Sequence, residues 1–252
     1  MANTNAIHKY GWIPDHPDFR DLIFNSQNVV QSETIDLRPL CPQIWDQGLL
    51  NSCTANAAGS NFEFLQKKEK LLDFMPSRLF IYYNTRLIEG TTSYDAGASN
   101  RNTIKSIVNY GVCDEIMWAY NIYMYNFKPT KNAYASAIKH KSTQYLKIPI
   151  NLTQMKACLH DGYPFICGIS VYSSFESDLV TTTGKVPLPK SNENILGGHA
   201  MLVVGFDDKT QNFIIRNSWG KNWGDKGYCY IPYGYLANPS LPADFWTLRY
   251  VT

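Results

Sequence analysis

At Pro164 the hydrophobic pattern of this chain changes period, and that switch limits the folds open to it. Before it, apolar residues recur at three- and four-residue steps. After Ser52, a good N-cap residue, Ala55, Ala58, Phe62 and Leu65 mark one face, and Lys67, Lys68 and Lys70 crowd the end where a helix dipole is negative. The small residues Ala55, Ala58 and Gly59 predict a helix packed very closely against a neighbour. Further helices are expected over 77–88, 100–109 (closed by Gly111), 131–139 and 152–160 (closed by Gly162). After Pro164 come short β-branched and aromatic runs at 165–172, 199–206, 212–219 and 228–233, parted by turn signals at Asp207-Asp208 and Lys226-Gly227. A mainly helical half, about 36–150, therefore precedes a mainly β half, about 151–252. No flexible linker separates them, and the fold class is α+β.

With 252 residues the chain can bury a real core, as one large domain or two compact halves. A net charge of +2, without any long basic run, leaves no footprint for nucleic acid or an anionic membrane surface. No stretch reaches the ~18 consecutive apolar residues of a membrane helix. The amino terminus lacks the basic and apolar regions of a signal peptide, so an intracellular, cytoplasmic location and free thiols are expected. Composition carries no signal of oligomeric state.

Six cysteines, at 41, 53, 113, 158, 167 and 229, include no Cys-x-x-Cys pair. Cys158 and His160 have no second pair to complete a zinc site. Cys53 is different because it opens a helix, where the dipole favours thiolate. A small buried hydrophobe remains the bland alternative. A nucleophile needs a base, an orienting group and oxyanion donors. Of the five histidines, His8 and His16 lie in an irregular leader, and His140 and His160 at polar helix ends. His199 begins an apolar strand after Gly197-Gly198, and Asn217 ends the next one. A hairpin turning at Asp207-Asp208 would set the two side by side, with Asn217 holding one imidazole nitrogen and the other facing Cys53. Gln47, six residues before Cys53, could donate its amide to an oxyanion; a Gln in a loop is by itself weak evidence.

Gln47-Gly48, Ser52-Cys53, Gly198-His199-Ala200 and "NSWGKNWGDKGY" (217–228) together resemble the papain-like cysteine peptidases. His199 falls within that family's spacing of about 130–150 residues after the cysteine, and Asn217 somewhat beyond it. The resemblance runs from about Asp36 to the carboxyl end. It implies a two-lobed papain-like fold with a cleft between a helical lobe and a β-barrel-like lobe. It implies a peptide or protein substrate cut through a thioester, with Cys53, His199, Asn217 and Gln47 as the catalytic set. Trp219 would shield the His–Asn bond from water, and the chemistry requires no metal and no cofactor. Gly97, Ala98 and Gly198 would meet substrate backbone. Asp244 is expected near the floor of the pocket for the second residue before the cut, where a carboxylate would favour Arg or Lys. A catalytically silent peptide-binding relative, or an amidase or acyltransferase on a non-peptide substrate, are the competing readings.

The chain also departs from the family. Leu50 and Asp95 stand where that family carries a disulfide, and residues 1–35 are too short for its long inhibitory prodomain. This leader still carries Tyr10, Trp12, Phe19, Ile23 and Phe24, with Pro14 and Pro17 keeping it extended. It is expected either to occlude the cleft or to brace the back of the β half. Cys53 is expected to be the most acidic and most reactive of the six thiols.

Overall fold

Period-3.6 and period-2 segments build two layers that meet along one helix. The computed structural model describes residues 9–27, 31–241 and 243–252. In chain order the elements are β1 (Thr34–Asp36), α1 (Cys53–Lys68), α2 (Arg78–Glu89), α3 (Asn100–Tyr110), α4 (Lys131–Ala137), β2 (Ser142–Lys147) and α5 (Leu152–His160). They continue with β3 (Phe165–Tyr172), α6 (Asp178–Thr183), β4 (Ile195–Asp207), β5 (Asn212–Arg216), β6 (Tyr228–Pro232), α7 (Tyr233–Leu236) and β7 (Ala243–Val251). The helix starts follow side-chain chemistry. Ser77 and Ser99 each accept a first-turn amide, from Phe80 and Asn102, and Gly111 closes α3 at positive φ. Ser52 precedes α1 without capping it. Its hydroxyl pairs instead with the Tyr120 hydroxyl.

The strands form one antiparallel sheet in the order β2-β7-β3-β4-β5-β6, with β1 added against β4. Strand β4 alternates across it. Met201 and Val203 face a core with Phe165, Phe213 and Ile215, while Leu202 and Val204 face one with Phe62, Leu65 and Tyr82 from the helices. Burial on both faces is why these strands read as continuous apolar runs. Helix α1 lies along the sheet, touching β3, β4 and β7. Its small residues permit that approach: Ala55 and Ala58 are fully buried, and a Cβ on Gly59 would sit 3.3 Å from the Trp45 ring.

Two sequence expectations shift. Strand β4 starts earlier, at Ile195, and β5 ends at Arg216, one residue before Asn217. The short strands β1 and β2 come from the first half of the chain yet belong to the sheet, and β7 closes it against β3. No helix among the described residues is long and apolar enough to cross a membrane.

Candidate active site

Cys53 is the first residue of α1 and is completely buried. Backbone amides of Ala200, Gly11, Thr54 and Cys53 itself lie within hydrogen-bonding reach of its sulfur. Burial nevertheless dominates and pushes the thiol up to about 11. Burial likewise takes Cys41 and Cys158 to about 11, and Cys113 and Cys167 to about 12. The expectation of a distinctively acidic Cys53 is therefore corrected for this state, because the helix end cannot offset the loss of water. All six cysteines are free.

His199 lies on β4 opposite Ile169 of β3 and has no solvent exposure. Its Nε2 lies 2.8 Å from Asn217 Oδ1, which also accepts the Ser218 amide at 2.8 Å. The β4–β5 ladder brings the two residues together, since Leu202 pairs with Arg216 one residue short of Asn217. The Trp219 ring stacks on His199 with centroids 4.6 Å apart and planes at 27°. It thus covers the His–Asn pair.

Gln47 is fully buried before α1. Its Oε1 accepts the Ser218 hydroxyl at 2.7 Å, which fixes the amide, so Nε2 points at the Leu50 carbonyl at 3.0 Å and the Lys9 carbonyl at 3.4 Å. The backbone of Gln47 also donates to Ser218, tying this loop to the segment after Asn217. The replaced disulfide has a polar substitute: Asp95 accepts the Asn51 amide and the Tyr82 hydroxyl, and its carbonyl accepts Asn51 Nδ2 at 3.0 Å.

A second strand of chain crosses this site. Ala98 donates to Gly11 at 2.8 Å and accepts Ile13 at 3.0 Å, while Trp12 donates to Gly198 at 2.8 Å. The backbone groups expected to meet substrate are thus engaged by residues 11–13. Gly97, at φ +78°, approaches so closely that a Cβ would lie 2.3 Å from the Gly11 oxygen. Tyr10 meets His199 and Trp219 edge-on, and Trp12 packs on Cys53 and Ala200. Further along, Asp244 accepts the Asp15 amide at 2.7 Å, and Asp15 accepts Trp246 Nε1 at 2.7 Å.

Beyond Asp15 the leader leaves the cleft. Asp21 pairs with Arg101 of α3 at 2.6 Å. Leu22 and Phe24 exchange backbone bonds with Lys147 at the end of β2, Ser26 and Gln154 of α5 bond mutually, and Phe24 is buried in the core. Of the five expected anchors, Tyr10, Trp12 and Phe24 are seated, whereas Phe19 is 99% exposed and Ile23 is exposed. Phe19 lies between contacts, whereas Ile23 sits in the bridge to Lys147 with its side chain exposed. Residues 1–8, His8 among them, and 28–30 lie outside the described residues.

His16 and His160 are exposed, and His140 packs against Phe74 away from the site. Among the described residues no group of three or more His, Cys, Asp and Glu is placed to hold a metal. Sequence reasoning passed over Asp15 and over Gly168, where a Cβ would lie 2.0 Å from Trp12 Nε1. A glycine inside the run "FICGISVY" was the available signal for Gly168, since it marks a close approach in a strand.

The sequence profile of papain family cysteine proteases matches residues 32–238. An uncharacterized peptidase C1-like protein of Acanthamoeba polyphaga mimivirus is 38% identical over all of this chain and 90% of its own length. Mouse cathepsin K is 28% identical over 74% of this chain and 54% of its own. Xylellain, a cysteine protease from Xylella fastidiosa, superposes with a TM-score of 0.88 at 39% identity, covering 96% of each chain. These likenesses, joined to the site around Cys53 and His199, identify the chain as a member of the papain family of cysteine proteases.

Proposed function

We propose that the protein hydrolyses peptide bonds through Cys53, His199, Asn217 and Gln47, and that its leader keeps it closed until residues 9–15 withdraw. The observation that carries the catalytic assignment is the His199–Asn217 pair, 2.8 Å apart beneath Trp219, on the strand whose next residue, Ala200, faces the Cys53 sulfur. With Nε2 engaged by Asn217, Nδ1 is the nitrogen that exchanges protons with the thiol. Cys53 Sγ loses its proton to His199 and attacks the carbonyl carbon. The oxyanion that forms is held by Gln47 Nε2 and the Cys53 amide. His199 then protonates the leaving nitrogen, and the C–N bond breaks to leave a thioester. Water, deprotonated by His199, attacks that thioester; the C–S bond breaks and the acid leaves.

The direction of the leader supports a restraint. The leaving amine must lie by His199 and Trp219, where Tyr10 sits; the acyl side must lie by Ala98, where Trp12 sits. The leader therefore runs amino to carboxyl from the leaving side to the acyl side, opposite to a substrate. Gly11 of the leader is among the residues whose backbone hydrogen-bonds the Cys53 thiol. Tethering raises its effective concentration, so modest contacts suffice to hold it. Six free cysteines agree with life in a reducing compartment.

The test is a peptide library cut by the full chain opened with Tyr10→Ala and Trp12→Ala, with products identified by mass spectrometry. Cleavage is expected, Cys53→Ala should abolish it, and Gln47→Ala should lower kcat by about 10²–10³-fold. Because Gln47 satisfies Ser218 and Leu50, its loss should also cost about 1–3 kcal/mol of stability. Undiminished kcat in Gln47→Ala would assign the oxyanion to other donors.

A further inference from the structure

Ser52 carries a side chain well suited to cap α1 and spends it elsewhere. Its hydroxyl lies 2.5 Å from the Tyr120 hydroxyl, which donates to the Gln47 carbonyl at 2.9 Å. Asn56, in the first turn of α1, reaches back with Nδ2 to Ser52 Oγ at 3.1 Å and to the Ser52 carbonyl at 3.0 Å. Its Oδ1 accepts Arg78 Nη1 at 3.2 Å, and the same nitrogen donates to the Asp46 carbonyl at 3.1 Å. The Arg78 guanidinium also lies over the Tyr120 ring, 3.9 Å from its centroid, and pairs with Glu115 at 2.8 Å. A phenol has one proton, and Tyr120 gives it to Gln47, so Ser52 donates to Tyr120 and accepts from Asn56. Every bond in the chain therefore has a fixed direction, from Asn56 through Ser52 and Tyr120 to Gln47. Burial raises the Tyr120 phenol to about 12, so it keeps that proton through the neutral range.

The chain ends at the two groups that would hold an oxyanion. Gln47 supplies Nε2, and its backbone is pinned at both polar atoms, the amide by Ser218 at 2.9 Å and the carbonyl by Tyr120. The Ser52 carbonyl shares one planar peptide unit with the Cys53 amide, so whatever holds that carbonyl also aims the N–H. It accepts both the backbone amide and Nδ2 of Asn56, each at 3.0 Å. We propose that Tyr120 is a positioning residue for the oxyanion hole, its hydroxyl setting the separation between the Gln47 side-chain amide and the Cys53 N–H. This rests on the peptidase reading and adds a residue that lies outside every motif around Cys53 and His199. Two donors serve one oxyanion only when both lie about 2.7–3.1 Å from it, so a small slip at either end costs rate without unfolding the chain. The Arg78 cation at the head of the chain polarises each bond in turn and stiffens the spacing.

The test removes one oxygen, by Tyr120→Phe, from the full chain opened with Tyr10→Ala and Trp12→Ala. Two small probes then read Cys53 without peptide recognition. p-Nitrophenyl acetate acylates the thiolate through a tetrahedral oxyanion: the C–S bond forms, the ester C–O bond breaks and p-nitrophenolate leaves. Iodoacetamide forms a C–S bond as iodide leaves, and no oxyanion arises. Acylation should slow by about tenfold or more, while alkylation changes by less than about twofold. The kcat for peptide cleavage should fall with the acylation rate, and KM should stay nearly constant. In a Gln47→Ala chain, Tyr120→Phe should slow acylation by less than about threefold, because the donor that it spaces is already gone. Ser52→Ala breaks the same chain one bond earlier and should give the same selective slowing; it decides the matter if circular dichroism shows Tyr120→Phe unfolded. Equal slowing by both probes, unchanged acylation in a folded variant, or the same factor in the Gln47→Ala chain would overturn the proposal. If the opened chain cut no peptide, the peptidase reading would fail, and the ratio of acylation to alkylation would still decide Tyr120. A Cys53 that never acylates in the opened chain would overturn both.

Discussion

At the scale of single residues, the proposed closed state gains a pH dependence from the contact of Asp15 with Asp244. Burial, and then the neighbouring Asp15 carboxylate, push Asp244 up to about 6. Burial also raises Asp15, against the lowering effects of the Trp246 indole, Arg101 and Lys147; Asp21 sits between those two cations. Both pKa values are raised where leader and pocket meet, so the docked state binds protons more readily than the released one. Docking is then strongest below the ordinary carboxylate value of 3.8, and this contribution is lost as the pH rises to and through about 6. The measurement is the Cys53 labelling rate of the native chain divided by that of the Tyr10→Ala/Trp12→Ala chain, which cancels the ionisation of the thiol itself. This ratio should climb from about pH 4 and level off above about pH 6, and Asp244→Asn should flatten the climb. A ratio that falls with pH would reverse the assigned sign.

Among the elements, the leader divides into two parts with separate placements. Residues 9–15 lie over Cys53, whereas residues 22–26 add to the end of β2 and to α5, with Phe24 in the core. Occlusion and bracing, which the sequence posed as alternatives, would on the proposed reading fall on different stretches of one segment. Phe24→Ala should cost about 3–5 kcal/mol, on the order of 10 °C in Tm for a chain of this size. Removing residues 1–15 should leave Tm nearly unchanged while Cys53 labelling accelerates. A large loss of Tm on removing 1–15 would make the cleft segment a brace as well. The helices were legible because their signals are local: Ser77, Ser99 and Gly111 act within one turn of themselves. Strand β2 was not, because it is polar and half-exposed and exists through pairing with β7 more than ninety residues away in sequence. The seating of Trp12 and the exposure of Phe19 were equally hidden. Both are large aromatics in one short leader, and only distant partners tell them apart.

Across the whole molecule, the sheet and α1 hold His199, Asn217 and Cys53 together, and the leader crosses between the helical layer and the sheet to cover them. The His–Asn pair was legible because a hairpin fixes it within one stretch of chain. Gln47 was legible only through family likeness, since its neighbours Ser218 and Lys9 lie far off in sequence. The upward shift of the Cys53 thiol was not legible because it comes from burial, which no motif around residue 53 records. The most direct test of a nucleophile held under its own leader is a time course of iodoacetamide labelling at pH 5.5, with the modified cysteine located by mass spectrometry. In the native chain Cys53 should label slowly and without precedence over the other five cysteines. In the Tyr10→Ala/Trp12→Ala chain it should label first and fast, and peptide cleavage should disappear in step with its modification. Equal Cys53 rates in the two chains, or loss of cleavage that tracks another cysteine, would contradict the account.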